Sequence, residues 1–253
     1  MAKRARIRFY AELNDFLPED LRYSTVDHEF DLSSTVKDVI EGIGIPHTEV
    51  DLIVVDGRSV DFSHRVQDGE LISVYPMFES VDISPVVRLR PEPLRNTCFV
   101  VDANLGQLAT YLRLFGFDTL YRNDYDDAEL VDISLQERRL LLTRDVGVLK
   151  RRDLTHGYFV RGAEPRDQIL EVVSRFDLFD QVVPLSRCPN CNGELVEVSK
   201  EEAMEHIRPG TRAAYDDFRA CTDCGQIYWE GAHHARIGEL LERVRAARHS
   251  HRH

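Results

Sequence analysis

The feature that most restricts this chain is a pair of cysteine pairs, Cys188-Pro-Asn-Cys191 and Cys221-Thr-Asp-Cys224. Each spacing sets two thiolates on one tight turn, and two such turns make one tetrahedral site. Four sulfur ligands leave no open position for water or substrate, so the pattern points to a structural Zn²⁺ rather than a catalytic one. The 29 residues between the pairs exceed the common separation, and an inserted helix around Glu201 to Ile207 would take up the excess. Gly193 and Gly225 follow the pairs, where a positive φ would let backbone N–H groups face sulfur. The redox alternative, two CxxC disulfides, lacks the strand-to-helix context around each pair. Thiolates kept as ligands suit a reducing compartment, so the expected location is the cytoplasm.

At 253 residues, two or three small modules are expected rather than one continuous core. Hydrophobic residues at 43% and charged residues at 30% exclude collagen-like and wholly disordered classes. No apolar run approaches the roughly 18 residues that span a bilayer, so no membrane partner is expected. A net charge of -12 argues against coating nucleic acid by bulk electrostatics and leaves only a local basic patch open.

Residues 5 to 76 read as a small α+β unit. Ile7 and Phe9 alternate on one face of a first strand, and Val26 to Leu32 forms a second. A helix follows, capped by hydroxyls at Ser33, Ser34 or Thr35, with Val36, Val39 and Ile40 on one face and a stop at Gly42. Leu52 to Val55, an Asp56-Gly57 turn and a closing strand Leu71 to Tyr75 complete a ββαββ order, which suggests a β-grasp fold. Val55-Asp56-Gly57 and Asp68-Gly69-Glu70 before the closing strand resemble the ubiquitin-like sulfur carriers of thiamine and molybdopterin synthesis. Such carriers end in a free Gly-Gly, whereas here Tyr75-Pro76-Met77-Phe78-Glu79 runs on, so a docking or stabilising module is expected instead.

The prolines at 85, 91 and 93, without periodicity around them, mark a linker over 81–96. From Cys98 strands and helices alternate. Cys98 itself reads as core. Phe99 to Val101 is apolar on both faces, as a buried parallel strand requires, and Leu105, Leu108, Ala109, Leu112 and Phe115 make a helical stripe ending at Gly116. That alternation predicts a parallel α/β sheet with its ligand site at the carboxyl ends of the strands. The last part, 186–253, holds the cysteine pairs and a helix from Ala232 to Arg248.

Three acids stand at chemically useful places: Asp102 after the first buried strand, Asp145 after Leu140-Leu141-Leu142-Thr143-Arg144, and Asp127 at a helix start. Converging carboxylates repel unless a cation neutralises them, and oxygen ligands suit Mg²⁺ or Mn²⁺, which can hold a phosphodiester and activate water. Each of the three is equally well placed to cap a helix. Their joint position beside Arg138, Arg139, Arg144, Lys150, Arg151 and Arg152 argues for more than capping, since these cations can meet phosphate oxygens. A solvated basic face explains the same cluster about as well.

Asp102-Ala-Asn-Leu-Gly-Gln-Leu-Ala-Thr-Tyr-Leu-Arg-Leu-Phe-Gly-Phe-Asp118, Asp127-Ala-Glu-Leu130, Arg139-Leu-Leu-Leu-Thr-Arg-Asp145 and the cysteine ribbon together resemble the PIN-like family named for the C-terminal RNase domain of Mut-seven proteins. The resemblance spans about residues 97 to 231, and an N-terminal ubiquitin-like domain accompanies that family. It implies a ubiquitin-like β-grasp domain over 1–80, a PIN-like α/β domain over 97–185 and a zinc ribbon over 186–253. It implies a metal-dependent ribonuclease with Asp102, Asp127 and Asp145 as its acids, Asp124 and Asp126 ranking lower and Asp153 or Asp124 as a fourth. RNA is then the partner, Arg144, Lys150 and Arg151 its phosphate contacts, and the β-grasp module a site for a protein partner. The competing reading is a non-catalytic RNA-binding or adaptor protein. A haloacid-dehalogenase phosphatase would need Asp-x-Asp at the first strand, where Asp102-Ala103-Asn104 stands.

Overall fold

A computed structural model describes residues 3–31, 33–76, 97–204, 217–229, 238–244 and 246. The proposed linker over 81–96, residues 205–207 of the expected inserted helix and most of the expected C-terminal helix lie outside the described residues. In chain order the strands and helices begin with β1 (Lys3–Phe9), β2 (Thr25–Phe30), α1 (Val36–Ile43), β3 (Val50–Val55), β4 (Arg58–Val60) and β5 (Leu71–Pro76). Next come β6 (Phe99–Val101), α2 (Gly106–Leu114), β7 (Thr119–Tyr121), α3 (Asp127–Glu137), β8 (Leu140–Thr143), α4 (Val146–Leu149), β9 (Gly157–Phe159) and α5 (Pro165–Arg175). The chain continues through β10 (Leu195–Val198), α6 (Lys200–Met204), β11 (Phe218–Cys221) and β12 (Ile227–Trp229), and 238–244 are helical. Contacts group it into two compact units: Met1–Arg95 with Val131–Arg138 and Asp145–Phe159, and Asn96–Leu130 with Arg139–Arg144 and Val160–His253.

In the first unit a five-stranded sheet runs β2-β1-β5-β3-β4, with β1 and β5 parallel and the other pairs antiparallel. Alternation along β1 sends Ala5, Ile7 and Phe9 inward, where they meet Val36, Val39 and Ile40 of α1 and Ile72 and Val74 of β5. Thr35 caps α1 in a reciprocal capping box with Asp38, which satisfies two backbone donors at once. The helix does not stop at Gly42. It runs one turn's fraction further to Gly44, whose φ of +126 is the left-handed stop that a side chain would resist.

The same unit ties the α4–β9 segment to this β-grasp scaffold. The Lys150 ammonium donates to the Glu41 carbonyl at 2.8 Å, and the Phe159 N–H donates to the Glu49 carboxylate at 2.7 Å. Buried His47 lies between the Glu41 carboxylate, 2.6 Å from Nδ1, and the Leu154 carbonyl, 2.9 Å from Nε2.

In the second unit the strands run β7-β6-β8, all parallel, with Phe99 beside both Thr119 and Leu140. Phe99, Val100, Val101, Leu141 and Leu142 are wholly buried, and α2 and α5 pack together through faces that bury Leu108, Leu112, Ile169 and Val172. The antiparallel sheet β10-β11-β12 carries the second cysteine pair at its β11 end.

Candidate functional site

Two sites of different character occupy the second unit, one at each end of the parallel strands. At the carboxyl ends, Asp102 follows β6 and its backbone continues the pairing, donating from N to the Leu142 carbonyl at 3.0 Å. The hydroxyl of Thr143, last residue of β8 and fully buried, donates to Asp102 Oδ2 at 2.6 Å. A neighbouring strand thus fixes the half-buried carboxylate where a parallel sheet presents its ligand crevice. Close by opens a cleft of about 670 Å³ lined by Asn104, Gln107, Tyr121, Arg144, Glu164 and Gln168 among others. The Tyr121 hydroxyl donates to the Ala103 carbonyl at 3.2 Å and lies across the start of α2, where a Cβ on Gly106 would stand 2.5 Å from it. Any larger residue at 106 would displace that ring. The Arg144 guanidinium, exposed, is steadied by donating to the Gly162 carbonyl at 2.8 Å.

At the other end lies the cysteine quartet. The four Sγ atoms lie within 4.8 Å of one another, with Cys188 to Cys224 at 3.8 Å and Cys191 to Cys221 at 3.3 Å. A tetrahedron built on Zn–S bonds of ~2.3 Å has edges of about 3.8 Å, so the donor set fits that ion. The chemistry agrees. Burial opposes ionisation of Cys188, but hydrogen bonds from the Tyr228 hydroxyl, 3.1 Å away, and from backbone N–H groups outweigh it and bring the thiol down to about 7. Burial and the other thiols push Cys191 up to about 12. Four neighbouring sulfurs cannot all carry charge unless a cation shares it.

The glycine expectation is half right. Gly225 has φ +69, but in the first pair the positive φ falls on Asn192, at +73, a residue type that tolerates it. Gly193 is needed for space instead, since a Cβ there would lie 2.8 Å from Cys221 Sγ.

Residues 97–241, more than half of the chain, match the Mut7-C RNAse domain family, and residues 2–82 match the Mut7-C ubiquitin family. The chain belongs to the Mut7-C RNAse domain family. A solved structure described as molybdopterin converting factor, subunit 1, from Pyrococcus furiosus is 18% identical, covers 30% of this chain and 98% of its own, and has a TM-score of 0.25. No curated protein matches the chain.

In this Mut7-C chain the three singled-out aspartates have distinct settings. Asp102 is the strand-end carboxylate just described. Asp127 is exposed at the first position of α3, while Asp126, one residue earlier, exchanges hydrogen bonds with Glu129 and caps the helix. Asp145 caps α4, its Oδ1 accepting the Gly147 N–H at 2.6 Å. Among the described residues the four cysteines form the group of three or more ligating side chains close enough to share an ion, and these aspartates form none. Asp124 is paired with Arg122 at 2.8 Å.

The basic cluster divides as well. Arg144, Arg151 and Arg152 are exposed, whereas Lys150 is half-buried on the Glu41 carbonyl. Arg139 is no phosphate ligand in waiting: it is buried and forks onto Asp118 at 2.8 and 3.2 Å. It stands at the amino end of β8, the opposite end from Arg144, so adjacency in sequence did not mean adjacency in space. Asn104, Gln107, Tyr121 and Gln168 escaped the sequence reading because neutral amides and a tyrosine carry no charge pattern; Tyr121, ending a strand, was the one available hint.

Proposed function

We propose that this Mut7-C chain is a metal-dependent ribonuclease whose centre lies at the carboxyl ends of β6, β7 and β8, with Asp102 as its anchoring carboxylate. The observation that carries this reading is the Thr143 hydroxyl holding Asp102 Oδ2 at 2.6 Å close to the cleft lined by Asn104, Tyr121 and Arg144. A closed cage of carboxylates is not what Mg²⁺ or Mn²⁺ requires, because such ions take one or two carboxylates and complete their shell with water and substrate phosphate. When bound, the ion would polarise the phosphodiester and lower the pKa of attacking water. Within the second unit Asp127 is the further acid of this site and Arg144 meets phosphate, whereas Asp145, Lys150 and Arg151 belong to the first unit, where Lys150 secures its own segment. The Tyr121 ring offers a face on which a base can stack. The four cysteines hold a structural Zn²⁺, and RNA in the cytoplasm is the substrate.

A second reading, an RNA-binding or adaptor protein that does not cut, is favoured by the lack, among the described residues, of three or more carboxylates close enough to share an ion and by the net charge of -12. Cleavage of a single-stranded RNA with and without EDTA, restored by Mn²⁺, separates the two. Asp102→Asn should lower the rate about 100-fold, as expected when several kcal/mol of metal-borne charge stabilisation is lost. Wild-type turnover by a folded Asp102→Asn protein would end the nuclease proposal at this site, and salt-sensitive binding without turnover would establish the second reading.

A further inference from the structure

The amino ends of the parallel strands carry a buried polar network that the nuclease reading does not use. Arg113, on α2 and only 5% exposed, donates from Nε to the Thr119 carbonyl at 2.9 Å. Its Nη1 reaches the carbonyls of Pro189 and Asn190, at 3.2 and 2.9 Å, which are the two residues between the first pair of cysteines. Asn192, next to Cys191, completes the link. Its Oδ1 accepts the Thr119 N–H at 2.9 Å, and its Nδ2 donates to Asp118 at 2.7 Å. One guanidinium therefore spans the first backbone peptide of β7 and the turn that aims Cys188 and Cys191.

We infer that Arg113 is a positioning residue of the zinc centre, and that through it and Asn192 metal binding organises the amino end of the parallel sheet. A tetrathiolate zinc centre carries a net charge of about -2, from four thiolates and one dication. A cation buried beside the turn offsets part of that charge, and its bonds to two turn carbonyls hold the loop in the shape that presents sulfur. Outer partners of this kind commonly change metal affinity by about 10- to 100-fold. The inference rests on the zinc reading and is independent of the nuclease reading.

The test uses the full chain loaded with one equivalent of Zn²⁺ and a competing chromophoric chelator. Arg113→Met should bind zinc at least about tenfold more weakly, and Arg113→Lys, which keeps the charge and can reach one carbonyl, should recover part of that loss. A folded Arg113→Met protein with wild-type zinc affinity would overturn the inference, whereas a wild-type chain that binds no zinc would instead overturn the zinc reading beneath it. The wild-type protein gives a second readout that needs no variant. Stripping the zinc should speed hydrogen exchange of the Thr119 amide by about tenfold or more, because its acceptor Asn192 is set free with the turn. Equal Thr119 exchange with and without zinc would sink the proposed coupling.

Discussion

The two ends of the β7-β6-β8 strands are built from similar residue types and treated in opposite ways. At the amino ends Arg113, Thr119, Arg139 and Asn192 are all buried, and each is satisfied by named partners. At the carboxyl ends Asn104, Gln107, Arg144 and Glu164 are exposed around a cleft, and Asp102 is half-buried. Polar groups that serve the fold have their hydrogen-bonding capacity filled by protein, because an unmet buried donor or charge is expensive. Groups kept for a ligand retain spare capacity, which protein partners would consume. Partner saturation, more than residue type, therefore separates a structural arginine such as Arg139 from a candidate ligand-binding one such as Arg144.

The comparison breaks most directly at Arg139. Arg139→Leu leaves the Asp118 carboxylate without its forked partner and should cost about 3 kcal/mol in urea denaturation, the low end for a buried pair broken on one side, since Asp118 keeps some exposure. A loss below about 0.5 kcal/mol, the range of an ordinary surface change, would mean that the amino end is no more committed to the fold than the cleft.

Acid should weaken the same end by a smaller amount. Burial pushes the Asp118 carboxyl up, but the hydrogen bonds from Arg139 and Asn192 outweigh it and hold the group below its ordinary value. A carboxylate depressed in the folded state contributes stability that is complete above the unfolded value of about 3.9 and is lost as pH falls through the folded one. Thermal melts from neutral pH downward should therefore show a decline below about pH 4 that is shallower in Asp118→Asn. Parallel curves for the two proteins would remove Asp118 as a source of acid sensitivity.

What could be read from the sequence follows the same division. The cysteine spacing placed the quartet because two CxxC turns have little geometric freedom, and the apolar run Phe99 to Val101 announced a buried strand because it is short, rich in β-branched residues and followed by a helical stripe. The β-grasp pattern was legible from alternation and turn chemistry, down to Asp56-Gly57, both at positive φ. The expected ββαββ order lacked the short β4 that follows this turn, because its three partly or fully exposed residues carry no alternation to read. Burial of Arg139 was not legible, because its partner Asp118 lies 21 positions away and the pairing exists only once α2 and β7 have placed it. The α4–β9 segment told the same lesson: its attachment to the β-grasp scaffold through Lys150 and His47 depends on contacts more than a hundred residues apart. A run of basic residues looked like one patch and is three environments.

The smallest expected effect is also the one that most sharpens the contrast. Among the described residues Arg144 is held by one exposed bond, to the Gly162 carbonyl, so Arg144→Ala should shift stability by no more than about 0.5 kcal/mol. If the cleft receives an RNA backbone, the same substitution removes one phosphate contact. The slope of log affinity against log salt for single-stranded RNA should then fall in magnitude by about 0.7, the value per neutralised phosphate. A charge that merely adds to a diffuse surface field would change affinity without moving that slope by a full contact, and a charge committed to the fold would move stability first. Salt titrations of RNA binding by wild-type and Arg144→Ala protein, with urea melts of both, distinguish the three outcomes. An unchanged slope with unchanged stability would assign Arg144 to neither end's work and return the cleft to plain solvent-facing surface.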